Sequence, residues 1–136
     1  MFSEKEKRAI KSKKMDTTEL EGLPIKANPI AKAAAHIVVE LIEYEHNAAV
    51  SKSIMKKVTG TVNAMSFDRG EGLNDKTSPF DTYLQIIDGS ACIEIDGKPN
   101  TLLTGQGIII PAHRSSCIKP NGRFKMIQTI IKSGYE

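Results

Sequence analysis

Residues 70–89, GEGLNDKTSPFDTYLQIIDG, and residues 105–119, GQGIIIPAHRSSCIK, carry the spacing that decides the fold. The first stretch runs Gly70, five residues, Lys76, one, Ser78, three, Thr82, six, Gly89; the second runs Gly105, five residues, Pro111, one, His113, two, Ser116. Outward from these stretches, turn dipeptides divide everything beyond Ala48 into short segments rich in Val, Ile, Thr and aromatics, the pattern of a β-sandwich or barrel. Thr59-Gly60 separates strands expected at 50–57 and 61–67. Asp88-Gly89, Asp96-Gly97 and Asn121-Gly122 punctuate strands expected at 82–87, 90–95, 100–103, 107–110, 116–119 and 123–132. Asp-Gly and Asn-Gly favour the positive backbone dihedrals of tight hairpins, so antiparallel hairpins are the expected unit. Ala91, Ile93 and Ile95 alternate with Cys92, Glu94 and Asp96, which turns one face of that strand toward an interior. The segment GIII at 107–110 is apolar on both faces and is expected at the centre of a sheet.

Upstream, residues 4–14 are strong helix formers, and Gly22, Pro24 and Pro29 end any helical tendency. Residues 1–36 therefore read as an N-terminal arm, helical then irregular, and 37–136 as the β domain. Within IAKAAAHIVVELIEYE, which starts at Ile30, the alanines favour a helical turn at 30–35 and the β-branched Ile37, Val38 and Val39 a strand after it. At 136 residues the chain has the length of one domain. Its net charge of +3 is a property of the arm: residues 1–14 carry six Lys/Arg against two Glu, leaving −1 for the rest. With no aromatic beyond Phe2 among those lysines, the arm reads as solvated and nucleic acid is not an expected partner. No apolar run nears the roughly 18 residues of a membrane span, and the first residues lack a signal-peptide core, so a cytoplasmic location without membrane contact is expected. Cys92 and Cys117 match no zinc-ligand spacing and read as free thiols.

The two quoted stretches resemble the motifs of small single-domain cupins, G-x5-H-x-H-x3-E-x6-G and G-x5-P-x-G-x2-H, and the resemblance extends over about residues 38 to 132. It implies an all-β, cupin-type double-stranded β-helix, a conical jelly roll with a pocket between its sheets, behind the short helical arm. It also implies a homodimer, a partner's strand covering sheet edges that a small jelly roll leaves open. In metal-bearing cupins two histidines and a glutamate of the first motif and a histidine of the second hold Fe, Mn, Ni or Zn. Carried over by position, those ligands become Lys76, Ser78, Thr82 and Ser116. An ammonium repels a cation, and neutral hydroxyls are poor ligands without supporting carboxylates, so neither a metal nor another cofactor is expected.

Asp81 precedes the position of the lost glutamate, and adjacent strand residues face opposite ways, so it does not simply replace it. His113 stands where the second motif has glycine, in a turn near the pocket rim; His36 and His46 precede the matched region and read as packing or surface residues. Lys76, Ser78, Thr82 and Ser116, with Asp81 and His113 nearby, are the candidate ligand-binding residues, expected among apolar walls that include Leu84, Ile86, Ile93 and Phe124. A lysine can pair with a carboxylate or phosphate while hydroxyls donate to the same oxygens. Binding of an unidentified small anion is the first expectation. The alternatives are a cupin-superfamily enzyme, isomerase- or oxygenase-like, that uses a non-standard metal site or an acid-base pair such as Asp81 and His113, and a structural or interaction module with a filled barrel. The Ser115-Ser116-Cys117 run lacks a nucleophile elbow, GEG at 70–72 and GQG at 105–107 read as turns, and no helix-turn-helix is visible.

Overall fold

The computed structural model describes residues 23–24 and 29–132; the helix expected at 4–14 lies outside them. Eight strands follow one short 3₁₀ turn, Val38–Glu40: β1 (Ala49–Lys57), β2 (Gly60–Phe67), β3 (Leu73–Thr77), β4 (Asp81–Ile95), β5 (Lys98–Leu103), β6 (Gly107–Ile110), β7 (Ser115–Lys119) and β8 (Phe124–Ile131). They form two antiparallel sheets that share β4. Its first half joins the order β1-β2-β8-β4-β6, and its second half joins β5-β4-β7-β3. This is the expected all-β jelly roll.

The sharing of β4 depends on a change of parity. Thr82, Leu84 and Ile86 point inward from its first half, Ala91 and Ile93 from its second, so the inward set moves from even to odd positions. The register slips between Ile86 and Asp88, and Gly89 takes φ +77 while its Cα sits so close to Arg123 that a Cβ would lie 2.3 Å from the Arg123 carbonyl oxygen. A bulge of this kind bends a strand and re-aims its side chains. Asp88-Gly89 is therefore a bend in one continuous strand, where the sequence pattern suggested a turn between two. Asp96-Gly97 is the expected tight turn, with φ +52 and +80 joining Ile95 to Lys98.

Three further expectations change. The strand after residue 35 is replaced by the 3₁₀ turn, because the segment from Leu41 to Ala48 packs as irregular chain on the outside of the first sheet. There Ile42 is buried against Val50, Ala64 and Ile127. Among the described strands the GIII strand, β6, pairs with β4 alone and lies at an edge with Ile109 exposed. β3, whose sequence LNDKT is poor in strand-favouring residues, forms through its pairing with β7.

Across the first sheet, the inward cross-strand rows run from apolar to polar. Phe67 pairs with Phe124, their rings stacked at 4.5 Å, then Met65 with Met126 and Ile86; Asn63 with Gln128 and Leu84 follows, and last Thr61 with Ile130 and Thr82. In the second sheet Ile118 pairs with Ile93 and Leu73, and the next row is Ser116 with Ile95 and Lys76. The main core fills one end of the barrel, and Leu23 of the arm reaches into it while Pro24 accepts the Ser51 N–H at 2.9 Å. The polar rows of both sheets face each other at the other end.

Candidate functional site

Between those polar rows lies a cavity of about 40 Å³ whose lining includes Lys76, Ser78, Thr82 and Ser116. Each comes from a different position in the fold. Lys76 sits on β3 directly across from Ser116 on β7, Thr82 on β4 lies between Ile110 and Ile130, and Ser78 follows β3. The four positions of the resembled metal motif therefore converge in space. Leu84 and Ile93 form part of the walls as expected. Ile86 and Phe124 lie deeper, in the core rows beneath, and do not line the cavity.

Burial pushes the Lys76 ammonium down to about 8 from its ordinary 10.5. The cause is loss of hydration, which disfavours the charged form of an amine. Ser78 is fixed by the turn that follows it: its hydroxyl oxygen accepts the Phe80 N–H at 3.1 Å, and its carbonyl accepts the His113 N–H at 2.7 Å.

Asp81 and His113 are not among the residues lining the cavity. Asp81 is exposed on the opposite face of β4 from Thr82, and its Oδ1 accepts the Ala112 N–H at 2.8 Å. His113 is exposed in the turn at φ +69, a left-handed conformation that accounts for glycine at this position in the resembled motif. Asp81 ties the 111–114 turn to the start of β4, and the His113 N–H ties it to Ser78 just beyond β3. His36 and His46 are exposed on the segment before β1.

Several lining residues escaped the sequence reading, Gln128 and Arg114 among them. Gln128 is 2% exposed and aligned with Leu84 and Asn63; the Asn63 amide donates to its Oε1 at 3.3 Å. Its signal was present in FKMIQTII, where inward positions alternate Phe124, Met126, Gln128, Ile130 and the one polar residue stands out. Arg114 lines the mouth, with its side chain 58% exposed and Nη1 donating to Asp96 Oδ2 at 2.8 Å. It lies inside the quoted motif, two residues before Ser116.

The lining joins two cations to three hydroxyls, an amide and the Cys117 thiol, and no carboxylate or imidazole lines it among the described residues. That set lacks the imidazoles and carboxylate that hold the Fe, Mn, Ni or Zn ion of metal-bearing cupins, and its two cations would repel one. Nor do the described residues hold elsewhere a group of three His, Cys, Asp or Glu able to grip a metal. What the arrangement can do is accept negative charge and exchange protons through hydroxyls. No helix among the described residues is long and apolar enough to cross a membrane.

No protein-family profile matches the chain, and neither does any curated protein. Solved structures do match. A cupin superfamily protein from Desulfitobacterium hafniense is 27% identical, with a TM-score of 0.69 over 77% of this chain and 95% of its own. A cupin 2 conserved barrel domain protein from Leptotrichia buccalis is 29% identical, with a TM-score of 0.67 over 69% of this chain and 46% of its own, so the match spans less than half of that protein. A conserved protein of unknown function from Streptococcus pyogenes shares the fold at a TM-score of 0.73 and 24% identity, over 77% of this chain and 92% of its own.

Proposed function

Because the chain is a small cupin-domain protein whose ligand positions carry an amine and three hydroxyls, we propose that it binds a small anion in the barrel cavity. The observation that carries this is the meeting of Lys76, Ser78, Thr82 and Ser116 on one apolar-walled cavity. Keeping an ammonium there has a cost in hydration, evident in its lowered pKa, and a bound negative charge would offset it. Arg114, paired with Asp96 at 2.8 Å, adds further N–H donors at the entrance that an anion can meet. The size of the cavity bounds the ligand. One water needs roughly 10 to 15 Å³ of such space, so about 40 Å³ suits a carboxylate of one to three carbons.

Calorimetry and thermal shift with formate, acetate and inorganic phosphate test the proposal. Saturable binding of a carboxylate that is lost in Lys76→Met supports it; equal binding by the variant removes Lys76 from the site. Elemental analysis of purified protein supplies a second check, since a stoichiometric transition metal overturns the metal-free reading. The small cavity also favours a competing reading, a structural module with a filled barrel, because small-molecule pockets commonly span about 300 to 1,000 Å³. That reading gains if no anion raises the melting temperature. The homodimer proposal has a suitable surface in the exposed Tyr83, Ile109 and Ile131, which neighbour one another across β4, β6 and β8; a monomer by light scattering at micromolar concentration counts against it.

A further inference from the structure

We propose that Lys76 is a nucleophilic amine that condenses reversibly with a short oxo acid, a two- or three-carbon carbonyl compound bearing a carboxylate, to form an imine inside the barrel. The inference rests on the anion-binding reading for the carboxylate and goes beyond it in assigning a covalent reaction to the amine.

Four features of the cavity support the reaction. Lys76 enters from β3 across from Ser116, among walls that include Leu84, Ile93, Ile110 and Ile130. An apolar enclosure limits water, which favours the dehydration that completes an imine. Burial holds the amine near 8, so at neutral pH its nucleophilic uncharged fraction is on the order of a hundredfold larger than that of an exposed lysine. The hydroxyls of Ser78, Thr82 and Ser116 each donate and accept, which suits them to pass a proton from nitrogen to oxygen. Arg114 stands at the mouth with Nη1 on Asp96 and further N–H donors in its planar fork, the geometry that grips a carboxylate. Asp96 takes one Arg114 N–H and leaves the rest of the fork for the ligand, while Asp81 is turned outward onto the Ala112 N–H. The small volume, about 40 Å³, or roughly three waters, favours the shortest oxo acids.

The reaction balances without a further reagent. The Lys76 nitrogen lone pair attacks the carbonyl carbon as the π pair of the C=O bond moves to oxygen. A proton passes from nitrogen to that oxygen through a hydroxyl, giving the carbinolamine. A second proton reaches the oxygen, water leaves as the nitrogen lone pair forms the C=N bond, and the nitrogen keeps or releases its last proton. Neither oxidation nor reduction occurs, and addition of water reverses the sequence.

The test uses the full wild-type chain, so it does not depend on a variant folding. The protein is incubated with glyoxylate and cyanoborohydride, which reduces an imine to a stable secondary amine, and modified lysines are located by peptide mass mapping. Lys76 is expected to gain a carboxymethyl group well before the exposed Lys57 and Lys98. The preference for Lys76 over them should be greatest below about pH 8 and shrink toward 10.5, where the exposed amines also lose their protons. Acetaldehyde, which lacks the carboxylate, should label Lys76 with less preference over Lys57 than glyoxylate does. Labelling of Lys76 at or below the rate of Lys57 near pH 7, or a preference for Lys76 that does not shrink toward pH 10.5, overturns the proposal. If acetate still raises the melting temperature in that case, the anion-binding reading stands and only the imine falls; if it does not, both fall.

Discussion

Replacing Lys76 with methionine is expected to stabilise the protein at neutral pH, although it removes the central residue of the candidate site. Met has a similar length and fills an apolar cavity without a charge to desolvate. The magnitude follows from the shift of the Lys76 ammonium from 10.5 to about 8. At 1.36 kcal/mol per unit this sets a ceiling of about 3 kcal/mol, and partial exposure lowers the expected gain to about 1–3 kcal/mol. The pH dependence gives the sign. Below pH 8 the amine is charged in both folded and unfolded chains, and the folded state bears the full cost of burial. Between about 8 and 10.5 the unfolded chain holds the proton more tightly than the folded one, so wild-type stability rises with pH. Above 10.5 both forms are neutral and the cost is gone. Urea denaturation of wild type and Lys76→Met across this range isolates the effect, because other titrating groups cancel in the difference. The variant should lead at pH 7 and the gap should close by about pH 10.5. A gap that does not change with pH, or a variant less stable at pH 7, refutes the claim that the ammonium is desolvated.

Gly89→Ala should cost more than about 2 kcal/mol in chemical denaturation, since it forces a side chain into a left-handed position and against the Arg123 carbonyl; a near-neutral outcome means the bend in β4 can relax. Ser51→Ala should be neutral or raise stability by about 1 kcal/mol, because the buried Ser51 hydroxyl has no hydrogen-bond partner among the described residues; a loss of stability would reveal a partner. Tyr44→Phe should cost about 1 kcal/mol by removing the 2.7 Å hydrogen bond to Asp88. Faster amide exchange over 41–45, with the strand amides unchanged, would assign that loss to the segment Tyr44 holds against the barrel.

Much of the fold was legible because its signals are local. Asp96-Gly97 favours a two-residue hairpin through the backbone freedom of those two residues, and the alternation of Ala91, Ile93 and Ile95 marks an inward face wherever the strand lies. GIII misleads for the same reason. An apolar segment reports a preference for burial, and Ile109 is left exposed because β6 has no second neighbour among the described strands of its sheet. Ile37, Val38 and Val39 favour a strand locally, yet no strand among the described residues pairs with them and the chain there makes a 3₁₀ turn. β3 illustrates the opposite case, a segment of weak strand propensity recruited by pairing with β7.

The candidate site divides along the same line. The resemblance to the cupin motifs, carried by intervals along the chain, pointed to Lys76, Ser78, Thr82 and Ser116 and showed the usual ligands absent from their positions, because residue identity and spacing are properties of the chain. That these four residues line one cavity, that Asp81 and His113 brace a turn outside it, and that Gln128 and Arg114 join the lining were decided by the fold. So was the lowered pKa of Lys76. The physical reason is range: propensity and turn chemistry act over a few neighbouring residues, whereas a cavity and the hydration lost within it depend on strand pairing and on a bulge at Gly89 that carries β4 from one sheet into the other.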